Sequence, residues 1–151
     1  MRLQPGEPGQ TCVQLLGASE VVLMQRCSFG TVWAASARPA PDGRALALQV
    51  QPLEGWTELW VFRAGTAGWT VDVLPPAAAD PELGYVEFAG WAPGKLLLAR
   101  EFRVQGRQRR NFEVLALDTL AVDKQASTPQ ILAAFAKWQD ADWKRGTVVL
   151  R

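Results

Sequence analysis

The stretch Ala40-Pro41-Asp42-Gly43-Arg44-Ala45-Leu46-Ala47-Leu48 decides the fold class of this chain. Proline holds φ near about −65°, aspartate can hydrogen-bond its own backbone, and glycine accepts a positive φ, which together favour a tight reversal. An extended run, Gly30-Thr31-Val32-Trp33, precedes the turn, and residues 45–50 follow it. The stretch therefore predicts two antiparallel strands.

The same pattern of extended run, turn and extended run recurs along the chain. It occurs at residues 11–16 with 21–24, 57–62 with 69–74, and 111–117 with 121–122. The starting points, Thr11, Thr57 and Asn111, are roughly 50 residues apart, near the interval of about 40 to 50 that β-propeller blades show. The repeat predicts an all-β fold of four-stranded antiparallel units.

The turn motif carries a resemblance to a known family. Residues 40–48 resemble the Ser-Pro-Asp-Gly element of TolB-like and related WD-type propeller repeats, with Ala40 in place of the serine. A second copy, Gly90-Trp91-Ala92-Pro93-Gly94-Lys95-Leu96, keeps the tryptophan and the proline but lacks the aspartate. Covering roughly residues 11–122, the resemblance implies propeller blades and no particular activity, because propellers host enzymes, lectins and scaffolds alike.

The count of strands gives about two and a half blades, whereas closed propellers typically have about four to eight. We therefore expect an incomplete ring, completed by oligomerisation or by a segment outside this chain. Residues 1–10 are predicted to be an N-terminal tail and residues 11–127 to form the blades. Residues 128–151 are predicted to form a short C-terminal helix and a terminal strand.

The C-terminal prediction depends on a change of period after Ser127. Thr128-Pro129 is a helix start signal, and apolar residues follow at Ile131, Leu132, Phe135 and Trp138. The final Thr147-Val148-Val149-Leu150 is rich in β-branched residues, which favours a strand.

Composition excludes several function classes. The 151 residues include 16 basic and 15 acidic side chains, a net charge of +1, so no overall field attracts nucleic acid or an anionic membrane. The absence of histidine removes histidine-dependent triads and histidine-ligated metals. No phosphate loop or nucleophile elbow occurs, and Asp72, Asp80, Glu82 and Glu87 show no acid–base spacing. We expect no catalytic residue, metal or cofactor, although a fragment of a larger propeller enzyme stays open.

Two features are candidates for binding. Arginines cluster around Gly106, and a hairpin tip could present Arg103, Arg107, Arg109 and Arg110 to an anion or a partner. Trp56 lies beside Gly55 in an expected loop, and it is the least core-like of the seven tryptophans. The competing interpretation is a solvated charged loop that protects a strand edge, with tryptophans packed between blades.

Cys12 and Cys27 are two buried thiols or one disulfide. Cys12 opens the first strand of its hairpin and Cys27 closes the second, so antiparallel pairing brings them to the same end. A bridge favours a periplasmic or secreted protein, and free thiols favour the cytoplasm. The N-terminal residues show no apolar leader core, so the compartment stays open.

These observations favour a non-catalytic protein-interaction or scaffold module whose partner is another chain or a copy of itself. The alternative is a lectin-like protein that binds carbohydrate in aromatic clefts between blades. A nucleic acid partner and a membrane partner are not expected.

Overall fold

The computed structural model describes residues 1–77 and 80–149, which divide into two compact units, Met1–Leu74 and Pro75–Arg151. The division falls inside the segment 11–127 that the sequence treats as one run of blades. Strands dominate both units and pair antiparallel, which confirms the all-β class.

The first unit contains eight strands in two sheets. The strands are β1 (Arg2–Pro5), β2 (Thr11–Leu16), β3 (Val22–Ser28), β4 (Thr31–Val32), β5 (Arg38–Pro39), β6 (Ala45–Leu53), β7 (Trp56–Gly65) and β8 (Gly68–Leu74). The small sheet has the order β1-β2-β3, so residues 1–10 contribute a paired strand as well as a loop. In the larger sheet β4 and β5 pair with β6, β6 with β7, and β7 with β8.

The core of the first unit follows from the period of two along β6 and β7. Leu46 and Leu48 pair with Phe62 and Trp60, and all four belong to one buried cluster. Val13 of the small sheet joins that cluster. Because alternate residues of a strand point to opposite faces, Trp60 and Phe62 share the face of β7 that packs into this cluster.

The second unit is a meander of four consecutive strands. They are β9 (Leu83–Ala92), β10 (Lys95–Val104), β11 (Arg107–Ala116) and β12 (Val122–Ala126). Each strand pairs antiparallel with the next, and a register shift between Leu97 and Leu98 interrupts the pairing of β9 with β10.

Two short helices, α1 (Ala133–Trp138) and α2 (Ala141–Val149), cover one face of this meander. Phe112 of β11 contacts Phe135 and Trp143 edge-on, with ring centroids 5.8 and 6.2 Å apart. Strand and helix meet directly at Ala89, whose carbonyl accepts a 2.6 Å hydrogen bond from the Asp140 N–H.

The C-terminal segment differs from its prediction in two ways. The expected helix, which starts at Thr128-Pro129 and continues to Trp138, is interrupted at Leu132, whose extended backbone separates a 3-10 turn, Pro129–Ile131, from α1. As a result Leu132 and Phe135 are buried, whereas Ile131 is 72% exposed.

The predicted terminal strand is wrong at residues 147–149, which belong to α2. Asp140 caps this helix, because its Oδ1 accepts hydrogen bonds from the N–H groups of Asp142 and Trp143 at 2.8 and 3.1 Å. The β preference of a few branched residues is weak beside such a start signal. Leu150 lies outside the described residues.

The propeller architecture is not confirmed. The order β9-β10-β11-β12 is the strand order of a blade, but no propeller ring is seen among residues 1–77 and 80–149. Blades of a ring stack sheet on sheet, whereas in the second unit α1 and α2 occupy one face of the meander.

Candidate functional site

The candidate arginines lie on the hairpin formed by β10 and β11, which we call the arginine hairpin (residues 100–110). Val104 pairs with Arg107, and the two residues between them, Gln105 and Gly106, both have positive φ, 51° and 70°. Positive φ at both central positions defines the type I′ turn, whose twist matches that of paired strands. The hairpin is therefore regular and ends in a two-residue turn, and its arginines lie along the two paired strands.

Two of the five arginines of this hairpin are held by carboxylates. Arg100 Nε lies 2.7 Å from Glu113 Oε2, and this pair is largely buried. Arg110 Nε lies 3.8 Å from Glu101 Oε2, and its guanidinium sits 5.0 Å from the Phe112 ring centroid. Arg110 therefore contacts other residues of the hairpin, Glu101 and Phe112, whereas the sequence predicted it as a residue that binds a partner.

The other three arginines, Arg103, Arg107 and Arg109, are exposed. No carboxylate in residues 1–77 and 80–149 forms an ion pair with them, so their charges are not neutralised within the described chain. Register places Arg107 and Arg109 on the same face of β11, beside half-buried Val104 and Phe102.

Glu82 fixes the tip of the arginine hairpin. Its Oε1 accepts a 2.9 Å hydrogen bond from the Gly106 N–H, and its own N–H donates to the Arg103 carbonyl at 2.9 Å. Two hydrogen bonds to one residue hold the tip against the segment that leads into β9. The arginine side chains therefore extend from an ordered backbone.

A second exposed surface, which we call the apolar end, consists of Phe29, Leu53 and Trp56 in the first unit. Leu53 pairs with Trp56 across the β6–β7 turn. Thr31 pairs with Gln51, and Gly30, which follows Phe29, contacts the backbone of Gln51 and of Pro52, which precedes Leu53. Phe29 is 67% exposed and Leu53 is 61% exposed, while Trp56 is half-buried.

Gly30 sets the position of Phe29. A Cβ at residue 30 would lie 2.1 Å from the Gln51 carbonyl oxygen and 2.5 Å from the Pro52 Cα, so only glycine permits this approach. The Gly30 N–H also donates to Ser28 Oγ at 3.0 Å. Two backbone segments in direct contact thus carry the exposed Phe29 and Leu53.

Sequence reasoning identified Trp56 and missed its two neighbours. Their signal was a large apolar residue within two positions of a turn glycine, Phe29 directly before Gly30 and Leu53 two residues before Gly55. Trp56 is not the most exposed tryptophan, because Trp33 reaches 50%. The packed role expected for most tryptophans holds at Trp60, which is 2% exposed.

Cys12 and Cys27 form a disulfide and are direct partners in the β2–β3 ladder. On the same three-stranded sheet, Arg2 Nη2 donates to Gln14 Oε1 at 2.8 Å, and Gln14 Nε2 donates to Gln25 Oε1 at 2.6 Å. The small sheet is therefore cross-linked by one covalent bond and one row of polar side chains. Such bonds form and persist in oxidising compartments.

Three of the four carboxylates considered for acid–base spacing, Asp72, Glu82 and Glu87, have structural partners. Glu87 Oε2 accepts a 3.1 Å hydrogen bond from the Trp143 indole N–H, and Asp72 Oδ2 lies 2.6 Å from Arg63 Nη2. No group of three or more side chains suited to a metal ion occurs among the described residues. No helix in that part of the chain is long and apolar enough to span a membrane.

A concave site of about 240 Å³ lies in the second unit, where β12 approaches the start of α1. Lys95 and Asp123 form an ion pair at this cavity, and Leu132 and Val114 supply apolar lining. Its volume is below the range of about 300 to 1,000 Å³ that small-molecule sites occupy. Exposed surfaces are therefore better candidates for binding than this cavity.

Comparison of the chain with protein-family models, with curated proteins and with solved structures found no match.

Proposed function

We propose that this chain is a non-catalytic protein-interaction module of an oxidising compartment, either the periplasm or the exterior of the cell. The single observation that carries the proposal is the apolar end, where Phe29 and Leu53 are mostly exposed on a backbone held by the Gly30 contact. Scattered exposed apolar residues are ordinary, but large exposed apolar side chains on backbone segments that contact each other are typical of interaction sites.

The energetics favour such a role. Fully burying a Phe or Leu side chain contributes about 1.5 to 3 kcal/mol. Because the backbone under Phe29 is already fixed, binding would cost little ordering of the main chain. Trp56, half-buried beside them, adds an aromatic side chain of the kind enriched at interface hot spots.

The disulfide supports the compartment. Cys12 is almost fully buried and bonded to Cys27, and bonds of this kind are rare in reducing cytosol. Carbohydrate binding is less well supported, because sugar sites need polar hydrogen-bonding groups beside an aromatic face. Phe29 and Leu53 have none, and the β6–β7 turn, Glu54-Gly55, contributes a single exposed carboxylate.

Site-specific photo-crosslinking in cells tests the proposal. A photo-reactive amino acid in place of Leu53 should give protein adducts, either to another chain or to a second copy. The same amino acid in place of Ile131, an exposed apolar residue of the second unit, is the matched control and should not. Absence of any protein adduct at position 53 would contradict the proposal.

Variants extend the test to association in solution. Serine at Phe29 and Leu53 should abolish the adduct formed by a crosslinker at Trp56. Serine at Val122 and Ile131, which are also exposed, should leave it unchanged. All four substitutions affect exposed side chains, so the free energy of unfolding should change by only about 0.5 kcal/mol or less at each site. Sedimentation velocity then distinguishes a second copy from a different partner.

A further inference from the structure

The outer edge of β11 is open along half of its length. Strand β12 pairs with β11 at Phe112, Glu113, Val114 and Leu115, and no described strand pairs with the outer side of residues 107–111. This open edge consists of Arg107, Gln108, Arg109, Arg110 and Asn111. Its inner side is fully paired with β10, so the backbone along the edge is held extended.

Two of the arginines on this edge share one face of the strand, because the side chains of a strand alternate between its two faces. Arg107 and Arg109 lie on one face, about 7 Å apart along the strand, since each residue advances a strand by about 3.4 Å. Neither is ion-paired within the described residues, and the Glu82 hydrogen bonds keep the tip in place. An extended peptide with carboxylates at alternate positions repeats at the same spacing.

We propose that the open edge of β11 binds an extended acidic segment of a partner protein by strand addition. Main-chain hydrogen bonds would pair the segment with residues 107–111, and alternate carboxylates would meet Arg107 and Arg109. The proposal concerns a different unit and a different chemistry from the apolar end, so either can fail without the other.

Charge complementarity favours an acidic protein segment over nucleic acid. Only three unpaired arginines are grouped at the tip of one hairpin, and the whole chain has a sequence pI of about 7.8. Nucleic-acid-binding domains usually show a pI above about 9 and a basic track that contacts many phosphates. A short extended peptide with carboxylates at alternate positions can be neutralised by two arginines on one face of the strand, Arg107 and Arg109.

The test uses fluorescence anisotropy with a labelled peptide of alternating glutamate and threonine, added to the full chain with its disulfide intact. The wild type should bind the peptide, more weakly as salt is raised. The variant R107E/R109E should bind at least about tenfold more weakly, because two attractive contacts become repulsive. The matched control R44E/K144E carries the same change in net charge at exposed positions elsewhere and should bind like the wild type.

Backbone pairing needs its own readout. Two peptides, N-methylated at odd or at even positions, keep every charge but block hydrogen bonds along one edge or the other. Strand addition predicts that one of the two loses binding and the other keeps it. Equal binding by both would overturn strand addition, and no binding by the wild type would overturn the site. Equally tight, R107E/R109E-sensitive binding of a single-stranded oligonucleotide of the same charge would overturn the choice of a protein partner.

Discussion

Removal of the Cys12–Cys27 disulfide should lower the free energy of unfolding of the first unit by about 3 kcal/mol. The two cysteines are separated by 15 residues. Closing a loop of that length removes chain entropy from the unfolded state worth about 3 kcal/mol. The variant is Cys12→Ala combined with Cys27→Ala, which deletes the bond with the smallest change in packing.

Urea unfolding followed by tryptophan fluorescence measures the effect. Trp60 is a suitable reporter because it is buried in the cluster that contains Val13, the neighbour of Cys12. With a urea dependence of about 1 to 3 kcal/mol per molar, the midpoint should fall by about 1 to 3 M. Adding a reducing agent should lower the wild-type midpoint to a similar extent and leave that of the variant unchanged. A loss of less than about 1 kcal/mol would refute the loop-entropy argument.

Three further predictions concern single side chains. Phe135→Ala removes a buried ring that contacts two other aromatic rings, so the free energy of unfolding should fall by about 3 to 5 kcal/mol in urea titrations. Glu113→Gln leaves the largely buried charge of Arg100 unpaired and should cost about 3 kcal/mol, whereas Glu101→Gln, in a more exposed pair, should cost less than about 1 kcal/mol. Equal losses in these two variants would contradict the assigned burial. Gly30→Ala forces a Cβ against a neighbouring carbonyl and should lower the thermal midpoint, corresponding to about 1 to 3 kcal/mol, and also weaken crosslinking from position 53.

The strands could be predicted from sequence because their signals are local. Pro41-Asp42-Gly43 marks a real turn, since the Gly43 N–H donates to the Ala40 carbonyl at 2.9 Å and Asp42 Oδ1 accepts from the Arg44 N–H. The alternation of Trp60 and Phe62 with their neighbours likewise predicts β7 without any information from distant residues. Period and turn chemistry therefore suffice for hairpins.

The arrangement of those hairpins was not predictable in the same way. What covers a sheet depends on contacts between distant residues, such as Phe112 with Phe135 and Trp143. A blade repeat and a helix-covered meander share the same strand spacing, so the repeat could not distinguish them. The pairing of Arg110 with Glu101, which leaves only Arg103, Arg107 and Arg109 unpaired in the hairpin, also depends on register across β10 and β11.

The helices that cover the meander have a consequence for the order of events during synthesis. Leu97, Phe112 and Val114 are translated before Leu132, Phe135 and Trp143, which bury them. Until the later residues emerge, the sheet presents an apolar face with its hairpins already able to form. A chain truncated after β12 should therefore bind chaperones that recognise hydrophobic surface, and a chain that extends through Trp143 should not.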